Sequence, residues 1–262
     1  DSPELSYASY FDDPVKRRLI RAVERLSGQP KIKQLYEHYR DHLAHDVPFF
    51  EAAMRLLDLD VQFSASRLAE IPRTGPLVIV ANHPFGVLDG LVVCWLTSRR
   101  RMDFKVLTNS ALDGVPEARP YILPVDFSGT KQALAANVAM RKEALDHVKA
   151  GGCVIVFPGG GVATTPRPFD RTAVDDEWKP FTAKLITQSG ASVTPVYFAG
   201  QNSLPVVIGE TLTPHALKDA GKRKGLMEFL RAQTYGLAPL GQILRYDAAT
   251  RRFMAKKPLA FR

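Results

Sequence analysis

The sequence predicts an α/β fold: a largely parallel central sheet flanked by helices, with an N-terminal helical region ahead of it. Three observations carry the prediction. Short, mainly apolar runs of strand length recur at residues 77–80, 104–107, 153–157 and 192–198, as strands buried on both faces of a parallel sheet require. Segments of helical spacing at 88–99, 131–150 and 180–189 separate them, giving the alternation of βα units. Before residue 61 the chain shows helical spacing, few Gly and no strand pattern. The boundaries follow: 1–60 helical, 61–262 the α/β domain.

Taken in order, Asp13-Pro14 reads as a helix start, an N-cap acceptor followed by Pro at the first helical position. Val15, Leu19, Val23 and Leu26 then recur at helical spacing, while Lys16, Arg17, Arg18, Arg21 and Arg25 fill much of the remaining surface. This basic amphipathic helix suits either an anionic membrane surface or packing with a solvated basic back. A second helix is expected over 30–44 and a third over 48–59. His38, His42 and His45 lie on or after the second, without a Cys or carboxylate at ligand spacing, so no metal site is read there. Residues 61–64 alternate as a strand, and Thr74-Gly75-Pro76 is a turn before the apolar run at 77–80. Residues 88–99 read as a helix ending in Arg99-Arg100-Arg101, 104–107 as a strand, 116–124 as a loop, and 131–150 as the longest helix, stopped by Gly151-Gly152. Helical spacing returns at 180–189 and 218–234, and 242–246 and 252–259 read as strands.

Composition narrows the function classes. The 262 residues are 45% hydrophobic, ample for a core, yet no run of eighteen apolar residues marks a spanning helix and no secretory leader is expected. Cys94 and Cys153 both lie inside apolar runs, as buried free thiols do. The net charge of +8 favours an acidic partner. Seven Lys/Arg stand against one acid between Pro14 and Lys33, and eleven against three from Lys218 onward. No recognition motif or aromatic–basic interleaving supports nucleic acid.

Three loops leave the ends of predicted strands: 82–89, 158–165 and 200–203. In an open α/β sheet, sites form outside the carboxyl ends of the strands. The first loop holds His83, the one side chain in the three that titrates near neutrality unaided, and Asp89 lies five intervening residues on. The pair fits a general base oriented by a carboxylate; on spacing alone a His-Pro turn whose His satisfies a buried carbonyl, with Asp89 capping the next helix, is the favoured reading. There is no Gly-x-Ser-x-Gly elbow and neither Cys sits in a polar loop, which disfavours covalent catalysis. Gly159, Gly160 and Gly161 form a backbone nest suited to an oxyanion or a phosphate, or a plain turn. Arg167 and Arg171, just downstream, are placed to pair with an anionic head group.

Taken together, Asn82-His83-Pro84 with Asp89, Phe157-Pro158-Gly159-Gly160, and Val193-Thr194-Pro195-Val196-Tyr197-Phe198-Ala199-Gly200 resemble the glycerolipid (lysophospholipid) acyltransferase superfamily. That family carries His-x4-Asp, then Phe-Pro-Glu-Gly-Thr-Arg, then a Val-Pro-Val-type strand. The resemblance implies transfer of a fatty acyl group from acyl carrier protein or coenzyme A to a lysolipid hydroxyl, with His83 as base, Asp89 orienting it and no bound cofactor. It implies a peripheral enzyme on the cytoplasmic face of the inner membrane, seated by the 1–60 region. Asn82, Phe85 and Asn202 join Arg167 and Arg171 as candidate substrate contacts. Two departures are informative. Five residues, not four, separate His83 from Asp89, and Gly159 and Val162 stand where the motif has Glu and Arg. The form His-Pro-x-Gly-x-x-Asp-Gly and the Gly-Gln-Asn-Ser ending at 200–203 are nearer to the bacterial branch, also called hemolysin-like, that acylates lyso-ornithine and related lyso-aminolipids. An aminolipid acceptor needs no phosphate clamp. The alternatives are a lysophosphatidic acid acyltransferase and a non-catalytic lipid-binding protein on the same fold.

Overall fold

The computed structural model describes residues 29–44, 46–109, 115–163, 174–199, 204–221, 223–238, 244–247 and 252–255. The basic helix expected from Pro14, with Lys16, Arg17, Arg18, Arg21 and Arg25, lies outside these residues, as do Arg167, Arg171 and Asn202. In chain order the elements are α1 (Gln29–His42), α2 (Phe49–Leu56), β1 (Val61–Gln62), α3 (Ala65–Glu70), β2 (Leu77–Ala81), α4 (Val87–Ser98), β3 (Phe104–Asn109), β4 (Ile122–Val125), α5 (Lys131–Lys149), β5 (Cys153–Val156), α6 (Phe181–Ser189), β6 (Ser192–Phe198), β7 (Leu204–Ile208), α7 (Pro214–Lys218), α8 (Arg223–Gly236), β8 (Leu244–Asp247) and β9 (Arg252–Ala255). Contacts divide the chain into two compact units, one drawn from Asp1–Asp58 and Lys105–Glu143, the other from Leu59–Phe104 and Ala144–Arg262.

The second unit carries the sheet predicted from the sequence. Its strands run in the order β1-β7-β6-β2-β5. β2 lies parallel to both neighbours, with Ile79 opposite Ile155 on β5 and Thr194 on β6. β1 is parallel to β7, and β6 and β7 pair antiparallel, as do β8 and β9 in a separate two-stranded sheet. The five residues of β2 are all 0% exposed, which explains their uniformly apolar run: both faces are covered and no position can be polar. Each of the larger side chains contributes about 1.5–3 kcal/mol by leaving water. Since β2, β5 and β6 share a direction, the segments after Ala81, Val156 and Phe198 emerge at one end of the sheet. Cys94 and Cys153 are buried free thiols. Burial pushes both up, Cys153 to about 12, so neither is available as a thiolate.

At the opposite end, Arg101 fixes where β2 and β5 begin. Its side chain donates to both Asp103 carboxylate oxygens (2.6 and 2.7 Å) and to the carbonyls of Pro72, Gly75 and Gly151 (3.2, 3.0 and 2.7 Å).

In the first unit, β3 and β4 pair in parallel, Val106 opposite Ile122. Tyr36, Tyr39, Phe50 and Met54 of α1 and α2 are buried, and the Phe50 ring meets Tyr121 edge-on at 5.3 Å. The Tyr36 hydroxyl donates to Glu117 at 2.9 Å. Asn137 of α5 accepts the Asp126 N–H (2.9 Å) and returns a bond to its carbonyl (2.7 Å), tying α5 to the chain after β4.

Several elements differ from the sequence reading. β4 overlaps the end of the stretch expected to be loop, because Pro120 and Pro124 mask an edge-compatible strand. Helix α3 is set by Ser64, whose hydroxyl accepts the Arg67 N–H at 3.3 Å. β7 was not expected. It contains Pro205, whose carbonyl still accepts the Ala199 N–H at 2.9 Å. Among the described residues no helix is long and apolar enough to cross a membrane.

Candidate active site

The site is built where β2 ends. Asn82 is 2% exposed and bonds Phe198 with both ends of its amide: its Oδ1 accepts the Phe198 N–H at 2.7 Å and its Nδ2 donates to the Phe198 carbonyl at 3.1 Å. One side chain thus continues the β2–β6 pairing beyond the last strand residue. This fixes the exit direction, and the next residue is His83. Its backbone is held on both sides. The N–H donates to Asp175 Oδ1 at 3.0 Å, and the carbonyl accepts the Ala163 N–H at 2.8 Å. The imidazole lies on the Phe157 ring, centroids 4.1 Å apart and 28° between planes.

His83 Nδ1 is 3.1 Å from Asp89 Oδ2. The five-residue spacing therefore closes, and Gly86 shows how. It takes φ 66 and ψ −122 at the N-terminus of α4, a conformation that costs a side-chain-bearing residue strain. This reverses the chain so that Asp89, in the first turn of α4, faces back to His83. Asp89 Oδ2 also accepts the Phe85 N–H at 2.8 Å. So Phe85, a half-buried residue expected at the substrate, contributes its main chain to the dyad. The Asp89 side chain is fully buried. Burial pushes its carboxyl up, while the His83 ring and the N–H groups of Phe85 and Gly86 draw it back down. A carboxylate can only accept, so Nδ1 carries the proton and Nε2 holds the lone pair. Nε2 has no partner among the described residues, and the His83 side chain is 19% accessible.

Residues 157–163 form the facing wall. The Gly160 N–H donates to the Phe157 carbonyl at 3.0 Å, closing a tight turn, and Gly160 sits at φ +79. That N–H is therefore spent, and of the two other glycines, neither of whose N–H groups has an acceptor among the described residues, Gly161 is the exposed one. A Cβ on Gly159 would lie 3.0 Å from Asp175 Cβ, and one on Gly160 would lie 2.5 Å from Lys179 Nζ. Lys179 is exposed, and its N–H donates to the Pro158 carbonyl at 3.0 Å. Val162 lies over Gly86, 3.3 Å from where its Cβ would be. Val162 and Val87 are 52% and 37% exposed, giving the site an apolar rim.

Asp175, Trp178 and Lys179 escape sequence reasoning. They lie in Val174-Asp175-Asp176-Glu177-Trp178-Lys179, which has the composition of a solvated loop. Yet Asp175 is 3% and Trp178 4% exposed. The one available signal is a Trp among charges, since a large ring seldom stays in water. Among the described residues no group of three or more His, Cys, Asp or Glu is placed to hold a metal.

Similarity to known proteins agrees with this geometry. A family model described as Acyltransferase matches residues 42–207. The lyso-glycine lipid O-acyltransferase of Bacteroides thetaiotaomicron is 30% identical over 196 residues, covering 72% of this chain and 65% of that protein. The enzyme of the same name from Phocaeicola vulgatus is 26% identical over 190 residues, covering 72% and 64%. The chain thus spans just under two thirds of the length of these relatives. The crystal structure of the 1-acyl-sn-glycerophosphate acyltransferase PlsC from Thermotoga maritima superposes with a TM-score of 0.52 at 18% identity, covering 88% of this chain and 83% of that one, so the fold is shared. With the family model covering well over half its length and a His–Asp pair closed at the mouth of a parallel sheet, the chain belongs to the acyltransferase family.

Proposed function

We propose that the protein is a peripheral O-acyltransferase that moves a fatty acyl group from an acyl carrier protein or coenzyme A thioester to the hydroxyl of a lyso-aminolipid. The observation that carries this reading is the 3.1 Å His83–Asp89 contact with Nε2 left open. His83 Nε2 removes the proton from the acceptor hydroxyl as its oxygen attacks the thioester carbon. Asp89 holds the ring and balances the imidazolium. The Gly161 N–H receives the oxyanion of the tetrahedral intermediate. Collapse breaks the C–S bond, and the thiol leaves with the proton that His83 took. An uncoupled dyad suits this direct transfer, because among the described residues no Ser, Thr or Cys side chain is hydrogen-bonded to the His83 ring.

The two relatives are named for a lyso-glycine lipid, an acceptor of the same aminolipid class as lyso-ornithine lipid. Lys179, beside Gly160, supplies a cation for the acceptor's anionic end. Lysophosphatidic acid is the weaker acceptor, because Val162 stands where the family motif has Arg. The basic segment at 16–25 and the basic tail seat the enzyme on anionic lipid at the cytoplasmic membrane face.

The test is transfer from one acyl thioester to a panel of lyso-glycine, lyso-ornithine and lysophosphatidic acceptors. The aminolipids should be acylated, and His83→Ala should lose about a hundredfold to ten-thousandfold in rate while staying folded and lipid-bound. A His83→Ala enzyme near wild-type turnover rejects the base assignment. A wild-type protein that binds lipid and transfers nothing supports the non-catalytic reading.

A further inference from the structure

We infer that Asp175 is a positioning residue of the acyl-transfer site, holding the main chain of His83 so that the imidazole meets Asp89 and the acceptor in register. The inference rests on the reading of His83 as the base. Asp175 is almost inaccessible, and its carboxylate reaches two partners: Oδ1 accepts the His83 N–H (3.0 Å) and Oδ2 accepts the Trp178 indole N–H (2.9 Å). Its own main chain is fixed from behind by α8. The Asp175 N–H donates to the Tyr235 hydroxyl at 2.8 Å, and its carbonyl accepts from Arg231. Tyr235 in turn packs edge-on against Tyr197 of β6, centroids 5.6 Å apart. A line of contacts therefore runs from β6 and α8 through Asp175 to the backbone of the base.

A buried carboxylate is costly in a merely structural role. The titratable groups facing it are His83, Arg231, Tyr197 and Tyr235. Against them burial still prevails and pushes the carboxyl up. A serine or amide would satisfy one or both N–H donors without a buried charge. Gly159 gives the second, independent sign. The family motif has Glu at this position, and here the space beside the glycine is taken by Asp175 Cβ, 3.0 Å from where a Cβ would stand. The carboxylate missing from the glycine loop has its counterpart on a segment sixteen residues further along.

Asn at 175 keeps an acceptor for the His83 N–H but turns its NH2 toward the Trp178 N–H, two donors face to face. The test is therefore made in a Trp178→Phe background, which removes that conflict at similar volume. There Asp175→Asn should keep kcat within a few-fold, while Asp175→Ala should lower kcat about ten- to a hundredfold with KM for the thioester unchanged, since orientation acts in the transition state. Histidine-labelled protein gives a readout free of turnover: the His83 Nδ1–H resonance, present with Asp or Asn at 175, should broaden or move with Ala. Equal kcat and an unchanged resonance in Asp175→Ala overturn the inference, as does an Asn variant as impaired as Ala. If wild-type transfer itself is absent, the functional reading fails while the resonance still decides the positioning. Should the Ala variant not fold, the Asn variant decides: loss of its resonance or kcat sinks the proposal.

Discussion

The two ends of the central sheet treat buried charge in opposite ways. At the amino end, the Arg101 side chain is nearly inaccessible and donates to Asp103 and to three carbonyls ahead of β2 and β5. The guanidinium holds the Asp103 carboxyl below the usual carboxylate range. At the carboxyl end, the Asp89 and Asp175 carboxylates accept, among the described residues, from N–H groups of the His83 ring, the main chain and Trp178. Burial wins there, and both carboxyls are pushed up. A satisfied charge staples the fold at one end, and under-compensated carboxylates are kept around one histidine at the other. Chemistry accounts for the second arrangement better than stability does, since stability alone would remove them.

The largest expected effect breaks the comparison at the carboxyl end. Asp89→Asn keeps shape and an acceptor oxygen but removes the negative charge that holds the His83 ring and balances its imidazolium. Acyl transfer should fall about a hundredfold to ten-thousandfold, with Tm equal or higher because a buried charge is lost. A fall in Tm matching the fall in rate would make Asp89 a structural residue. The mirror experiment is Arg101→Met. Stability should drop by about 3 kcal/mol in denaturant titration, as three carbonyls and Asp103 lose their partner, while kcat per folded molecule stays unchanged.

Glycines sharpen the contrast at smaller cost. Gly75, at the amino end, sits at φ 87 and Gly86, at the carboxyl end, at φ 66. Replacing either by Ala imposes strain of about 1–2 kcal/mol. Gly75 has open space for a Cβ, whereas at Gly86 it would press on Val162. Both variants should therefore lower Tm to a similar degree, and only Gly86→Ala should reduce kcat, by displacing Asp89 from His83. Equal kinetic effects would remove the special status of that turn.

Legibility in the sequence follows the same division. The His83–Asp89 turn could be read because His, Pro, Gly and Asp rarely gather after a wholly apolar run, and β2, β5 and β6 could be read because two-sided burial permits little but apolar residues. Arg101 could not. It ends a run of three arginines that looks like a solvated helix terminus, yet Arg100 donates to the carbonyls of Ala69 and Ile71 and the buried Arg101 to those of Pro72, Gly75 and Gly151. Asp175 was hidden for a related reason. Its burial depends on α8, sixty residues away, whose Tyr235 and Arg231 hold it, and no local pattern encodes such a contact. β4 and β7 were obscured by Pro124 and Pro205, which are tolerated where no ladder bond is needed from the missing N–H.

The smallest effect is one of pH, and its sign differs between the two ends. Asp103 is lowered from 3.8 in the fold, so its contribution to stability is present above that value and is lost as pH falls through the lower folded pKa. Asp89 and Asp175 are raised from 3.8, so whatever they contribute is fully present below 3.8 and is lost as pH rises through their higher folded pKa values. Melting temperature measured from pH 3 upward should therefore respond to the two replacements on opposite flanks. Asp103→Asn should flatten the acid-side loss of Tm, the exposed half of that side chain keeping the change small. Asp89→Asn should leave the acid side alone and flatten the decline above the ordinary carboxylate range. If both variants altered the same flank, the opposition between the two ends would be a matter of packing and not of charge.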